Sequence, residues 1–342
     1  MTPHRKRKTQ TLGRATPKSP DEALSDTREN GRPVVVASAC LLGQAVRYDG
    51  GHKHAPHLDV LAEHLEIRGI CPEAGAGLGT PRPPMHLVEA DGQIRLRECH
   101  DPDRDHTEAL QRFAHDHIPL LARADGFIAK SKSPSCGMER IPVKDPQGNF
   151  RHYGSGLFTH RVRCHLPCLP VEEEGRLRDP ALWENFLQRV FVHRRWRQLR
   201  AEGLTPARLI DFHTRHKYLV MAHSVAAYRR LGRLLAQVCR LSLEALGTAY
   251  FTELMSALAQ PAQRGNHAGV LQRLAGCLSG HLSAADRREL AEAIERYRRG
   301  EATLEVPLTL LRHHQQRIRD PYLARQYYLA PYPAALELRN AI

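Results

Sequence analysis

The hydrophobic pattern divides the chain into two regimes. In the first, short apolar runs alternate with amphipathic stretches. Val34-Val35-Val36-Ala37 and Gly126-Phe127-Ile128-Ala129 read as buried strands bounded by loop residues, with Ile67-Arg68-Gly69-Ile70 as a briefer third. Leu58, Leu61 and Leu65 recur at helical spacing, and a helix over 105–122 is predicted to turn Leu110, Phe113, Ile118 and Leu121 inward. The stretch from Leu87 to Leu96 reads as a hairpin turning at Asp91-Gly92. Strands alternating with helices predict an α/β, Rossmann-like region with a parallel sheet over residues 32–174.

The period changes after Glu172-Glu173-Glu174-Gly175. Asp179-Pro180 is an N-cap followed by proline at the first helical position, and Trp183, Phe186, Leu187, Val190 and Phe191 follow at helical spacing. Thr205-Pro206 opens a longer helix. Ser283 to Asp286 resembles a capping box, and Gly300 stops the helix it begins. Residues 178–342 are therefore expected to form a separate all-α domain, its Tyr-rich end from Asp320 packing back as an irregular tail. Residues 1–31 are polar, carry Arg5-Lys6-Arg7-Lys8 and read as a disordered basic arm.

Composition adds three constraints. At 342 residues the chain is long for one core, consistent with two domains. No apolar run approaches a membrane span and the N-terminus lacks the apolar core of a secretory signal, so a cytoplasmic protein is expected. Eight cysteines in a reducing compartment are then ligands, nucleophiles or buried apolar residues rather than disulfides. A formal net charge of +13 exceeds what solubility needs and favours a polyanionic partner, nucleic acid first, against the plainer reading of a solvated Arg-rich surface.

The candidate chemistry lies in thiols at strand ends. Cys40 closes the first apolar run, Cys71 the brief one, and Cys136 sits in Lys130-Ser131-Lys132-Ser133-Pro134-Ser135-Cys136-Gly137 after the third. If the three runs are neighbouring parallel strands, these thiols converge on the edge where open α/β sheets place ligands. Three soft thiolates without an evident fourth suit an iron–sulfur cluster with one iron left open; equally, they could be three unrelated loop or core thiols. Cys164 and Cys168 around an interposed proline read as structural thiols rather than a metal pair.

Three motifs carry a resemblance. Ser38-Ala39-Cys40-Leu41-Leu42-Gly43 with Arg47-Tyr48-Asp49-Gly50, then Cys71-Pro72-Glu73 with Pro81-Arg82-Pro83, then the Lys130–Gly137 loop together resemble the thiouracil desulfidase family, DUF523. The resemblance implies a [4Fe-4S] cluster held by Cys40, Cys71 and Cys136, with one iron not ligated by protein, a catalytic carboxylate at Glu73 and an active-site serine at Ser133, or at Ser131 in the same loop. The second half resembles the DUF1722 family through Asp211-Phe212-His213-Thr214-Arg215-His216-Lys217-Tyr218-Leu219 and Ala222-His223-Ser224. Fusion of the two is the arrangement of RudS-type desulfidases, which implies removal of sulfur from 4-thiouridine in tRNA to give uridine and sulfide. Glu73 would act as base on a water attacking the ring carbon, without a change of redox state.

Two alternatives share these residues: a desulfidase of free thiouracil or thionucleotides, and a non-enzymatic iron–sulfur protein that binds RNA or senses redox state. For RNA contact, Arg194, Arg195, Arg197, Arg229 and Arg230 are candidate phosphate ligands. His213, His216, Lys217 and His223 share one helical face, either contacting phosphates or a flipped nucleotide, or forming a buried polar seam against the first domain.

Overall fold

The computed structural model describes residues 31–238, 240–333 and 336, so the expected basic arm lies outside the described residues except for Gly31, as does Cys239. An N-terminal β/α region is followed by a C-terminal region built almost entirely of long helices. Among the described residues eight strands make two four-stranded sheets. In chain order they are β1 Val34–Ser38, β2 Glu66–Ile70, β3 Met85–Ala90, β4 Gln93–Glu98, β5 Gly126–Ala129, β6 Ile141–Lys144, β7 Phe150–Gly154 and β8 Val171–Glu173.

The first sheet has the order β2-β1-β5-β8 and is parallel throughout. Its three predicted strands are therefore neighbours. Ser38 pairs with Ile70, which brings the carboxyl ends of β1 and β2 level. From β1 the chain crosses to β2 on one side and later to β5 on the other, so the order reverses between β1 and β5. That reversal opens a crevice beyond the strand ends.

The second sheet has the order β4-β3-β6-β7. Its β3–β4 hairpin turns through Asp91 (φ 53°) and Gly92 (φ 70°), the paired left-handed residues of a type I′ turn. The sequence foretold this hairpin but not β6 and β7. Proline interrupts the first, and the second buries so little that no alternation marks it.

The parallel strands are buried on both faces. Val36, Phe127, Ala129 and Val171 face the helix Thr107–Leu121 and the second sheet. Val35, Ala37 and Ile128, one residue out of phase, face Leu58, Leu61 and Leu65 and then Trp183, Phe186, Leu187 and Val190 of the helix Pro180–Ala201. The 58–65 stretch is a 3₁₀ helix over Pro56–Glu63 rather than an α-helix, and it still buries the three leucines. Gly126 lets Pro180–Ala201 approach: a Cβ there would lie 2.8 Å from Val190 Cγ2.

The helical region continues through Pro206–His223, Val225–Leu235, Leu243–Leu258, Arg264–Leu278, Ala284–Arg299 and Glu305–Ile318. Its starts are capped as the sequence suggests. Asp179 Oδ1 accepts from Ala181 N at 2.8 Å, Thr205 Oγ1 accepts from Arg208 N, and Ser283 with Asp286 closes a full capping box. Gly300 ends that last helix at φ 85°. No helix among the described residues is long and apolar enough to cross a membrane.

Candidate active site at the sheet edge

Ser38 to Leu42 turns sharply off β1, Cys71 ends β2 at the start of a single helical turn, Pro72–Gly75, and the Lys130–Gly137 loop leaves β5. These three segments wall one cavity of about 440 Å³, lined by Cys40, Cys71, Cys136, Glu73, Ser133 and Arg82 among others. The sequence-derived convergence of Cys40, Cys71 and Cys136 is thus present in the fold.

Burial governs the thiols. It pushes Cys40 up to about 11, with the neighbouring Cys71 adding to the rise, and raises Cys71 as well. Cys136 is raised well above the usual thiol range, by burial first and then by Glu73 and Cys71, while a hydrogen bond from Ser38 works the other way. Three mutually repelling sulfurs in one pocket are costly as thiolates until a cation shares it. Among the described residues no group of three or more His, Cys, Asp and Glu side chains is gathered to hold a metal ion.

Glu73 is 9% exposed and is held from two sides. Arg82 Nε donates to its Oε2 at 2.8 Å, with the second guanidinium nitrogen at 2.6 Å. Arg82 is itself fixed, donating to the carbonyls of Val46 and Gly79. Ser133 Oγ donates to Glu73 Oε1 at 3.5 Å while accepting from Cys136 N at 3.0 Å. The same hydroxyl thus ties the carboxylate to the thiol loop. Ser131 looks elsewhere: its Oγ and N both donate to Glu174, which also pairs with Lys130. Of the two serines, Ser133 is the one that meets Glu73.

Close packing fixes the loop from below. Lys130 N donates to Ser38 Oγ at 2.9 Å, pinning β5 to β1 at the site. At Gly156 a Cβ would lie 2.5 Å from the Ser135 carbonyl and 2.8 Å from Cys136 N, so only glycine admits this approach. Lys132 takes φ 60°, an uncommon conformation for a residue with a side chain, and stands exposed at the cavity wall. Arg82 lies within the second motif, where the sequence alone assigns it no role. An acid two residues past Cys71 needs a counter-charge once buried, and the nearby Pro81-Arg82-Pro83 was the available signal.

Comparison with known proteins follows the same division. The family described as 2-thiouracil desulfurase matches residues 35–174, and the protein of unknown function DUF1722 matches residues 217–333. The uncharacterized protein YbgA of Escherichia coli K12 is 31% identical over 159 residues, 46% of this chain and 94% of that protein. A solved structure described as the [4Fe-4S]-dependent thiouracil desulfidase TudS is 33% identical, covering 44% of this chain and 97% of that one, with a TM-score of 0.36. The chain joins a 2-thiouracil desulfurase-family domain to a DUF1722-family domain. The uncharacterized protein YbbK of Bacillus subtilis is 28% identical over 110 residues, 30% of this chain and 73% of its own length.

The helix that links the two family regions and the DUF1722 region hold the remaining sequence candidates, and most are turned inward. Arg194 is buried, and Arg195 stacks 3.7 Å over Tyr327 while donating to the Pro331 carbonyl. Arg197 donates to Asp125 Oδ1 at 3.0 Å. Their helix is packed on the parallel sheet, and the guanidiniums of Arg195 and Arg197 are engaged by internal acceptors. His213 lies 3.1 Å from Tyr250 Oη, its pKa lowered to about 4 by burial and by Lys217. Buried His216 stacks on Phe212 and Tyr327 and is lowered well below the usual range, by burial and then Arg195. Lys217 Nζ sits 4.9 Å over Tyr322 and 5.1 Å over Tyr218, and His223 lies 2.6 Å from the Gln260 carbonyl. This is a polar seam, packed within the helical region and on the linking helix rather than against the first domain. Arg229 and Arg230 are exposed, Arg230 paired with Glu253. Cys164 is exposed 3.6 Å from His160, and Cys168 contacts Thr252, so these two thiols have separate surroundings.

Proposed function

We propose that the protein is a desulfidase of thiopyrimidines, replacing a thiocarbonyl sulfur with oxygen from water and releasing sulfide. The observation that carries this reading is the shared wall of one cavity: three thiols from separate loops beside the Glu73–Ser133 pair. The donor set fits an iron–sulfur cluster, which asks for one soft thiolate per iron spread around a pocket rather than a shell closed on one ion. Cys40, Cys71 and Cys136 would hold a [4Fe-4S] cluster, leaving one iron without a protein ligand. When bound, it supplies a soft Lewis-acid position for sulfur that draws electron density from the ring carbon.

The chain's own groups do the rest. Arg82 fixes Glu73 Oε2 and leaves Oε1 facing Ser133 and the cavity, the atom placed to take a proton from an attacking water. Ser133, anchored by Cys136 N, orients that water. One carbon–oxygen bond forms, one carbon–sulfur bond breaks, and both water protons leave with sulfide, so no external reductant is needed.

A second reading names the carrier of the base as tRNA bearing 4-thiouridine. The net charge of +13 and the exposed cations Lys53 and Lys132 at the cavity favour it over a free base. The test is sulfide release under anaerobic conditions from 2-thiouracil, free 4-thiouridine and thiolated tRNA. Release from at least one is expected; a cluster-loaded protein silent on all three would refute the desulfidase reading.

A further inference from the structure

Water is a poor environment for an aromatic ring, so the rings a fold leaves outside are informative. Among the described residues the exposed aromatic side chains are Tyr48, Phe150 and Tyr153, at 43, 53 and 62% exposure. All three belong to the desulfurase-family domain, although the helical region holds more aromatic residues and covers them. Tyr48 lines the active cavity, with the Arg47 guanidinium 5.3 Å from its ring centroid. Phe150 and Tyr153 lie with ring centroids 4.9 Å apart on β7, the edge strand of the second sheet.

This edge adjoins the site. Gly154, next to Tyr153, pairs with Ile141, and the Ile141 side chain covers Gly137 so closely that a Cβ there would meet it at 2.2 Å. Gly137 follows Cys136. The two rings therefore stand one strand away from the thiol loop. Cations stand beside them: residues 140–154 carry Arg140, Lys144 and Arg151, with Asp145 paired to Arg151, Glu139 beside Arg140 and Glu89 beside His152, and the cavity wall adds the exposed Lys53 and Lys132.

Exposed rings interleaved with cations are the recognition chemistry of unpaired nucleic acid, where bases stack and phosphates find positive charge. We infer that Phe150 and Tyr153 form a base-stacking platform for unpaired RNA nucleotides flanking a thiolated base that enters the cavity. This rests on the desulfidase reading and names its substrate as a polymer gripped by the catalytic domain itself. A second copy pairing along β7 is the competing occupant, but Arg151 and His152 on that strand disfavour edge-to-edge association.

The test compares wild type with the double variant Phe150→Ala/Tyr153→Ala on thiolated tRNA and on free 2-thiouracil. KM for thiolated tRNA is expected to rise at least about tenfold, from two lost stacking contacts, with turnover of free 2-thiouracil unchanged. Phe150→Trp/Tyr153→Trp should restore it. An unchanged KM for tRNA overturns the inference. So does wild-type activity on 2-thiouracil with none on tRNA, which leaves the desulfidase reading standing; silence on every substrate defeats that reading first. Light scattering that shows a dimer abolished by the double variant also overturns it, in favour of self-association. If the alanine variant does not fold, ultraviolet crosslinking of wild type to tRNA decides: adducts within 150–153 are expected, and adducts confined to the helical region overturn the platform.

Discussion

At the scale of single residues, the cavity separates groups that the sequence leaves side by side. Ser131 and Ser133 are two positions apart, yet one is committed to Glu174 and the other reaches Glu73. Replacement should tell them apart. Glu73→Gln is expected to lower kcat by about 10²–10⁴ with iron content unchanged, the range for loss of a general base. Ser133→Ala should cost about tenfold to a hundredfold, as for a hydrogen bond to a charged group, and Ser131→Ala about twofold or less. Anaerobic kinetics with iron and sulfide analysis of each variant checks all three. Equal losses for the two serines would remove the assignment of Ser133.

At the scale of elements, the strands under the site, the β3–β4 hairpin and the helices covering the sheet were legible, and β6 and β7 were not. Val34–Ala37 and Gly126–Ala129 announce themselves because a parallel sheet covered on both faces needs unbroken apolar runs. β7 gives no such signal, since its side chains face water, and the platform it carries went unread for the same reason. Arg82 was visible as a residue but not as a partner, because its reach back to Glu73 is a property of the loop between them. The Arg194–Arg197 run misled, since a cluster of cations in sequence says nothing about which acceptors a fold will bring to it. Gly156 leaves no room for a Cβ against Ser135 and Cys136 N. Gly156→Ala is accordingly expected to cost about 1–3 kcal/mol, as overpacking does, and to lower iron uptake by displacing Cys136. Urea unfolding together with iron bound per chain on reconstitution measures both; an unaltered midpoint and full iron would show that the contact is slack.

At the scale of the whole molecule, the helical region holds two buried histidines, His213 and His216, towards their neutral form. His213, with a folded value near 4 against an ordinary 6.5, favours the fold in its uncharged form. Its contribution is complete above pH 6.5 and is lost as pH falls through that value towards 4, reaching on the order of 3 kcal/mol. His216 acts in the same direction. Urea midpoints measured between pH 7.5 and 4 should fall across that window, and His213→Gln, which cannot titrate, should flatten the decline. A slope identical in both proteins would show that other groups govern it.

The helix Pro180–Ala201 lies after the last matched residue of the desulfurase family and before the first of DUF1722, yet it roofs the parallel sheet with Trp183, Phe186, Leu187 and Val190. Asp125, under β1, reaches the same helix through His193 and Arg197. Sheet and helical half are therefore one packed unit: severing them at the acidic stretch would unroof Val35, Ala37 and Ile128. The gap between the two family matches is no gap in the packing, and the protein's interior runs straight across it.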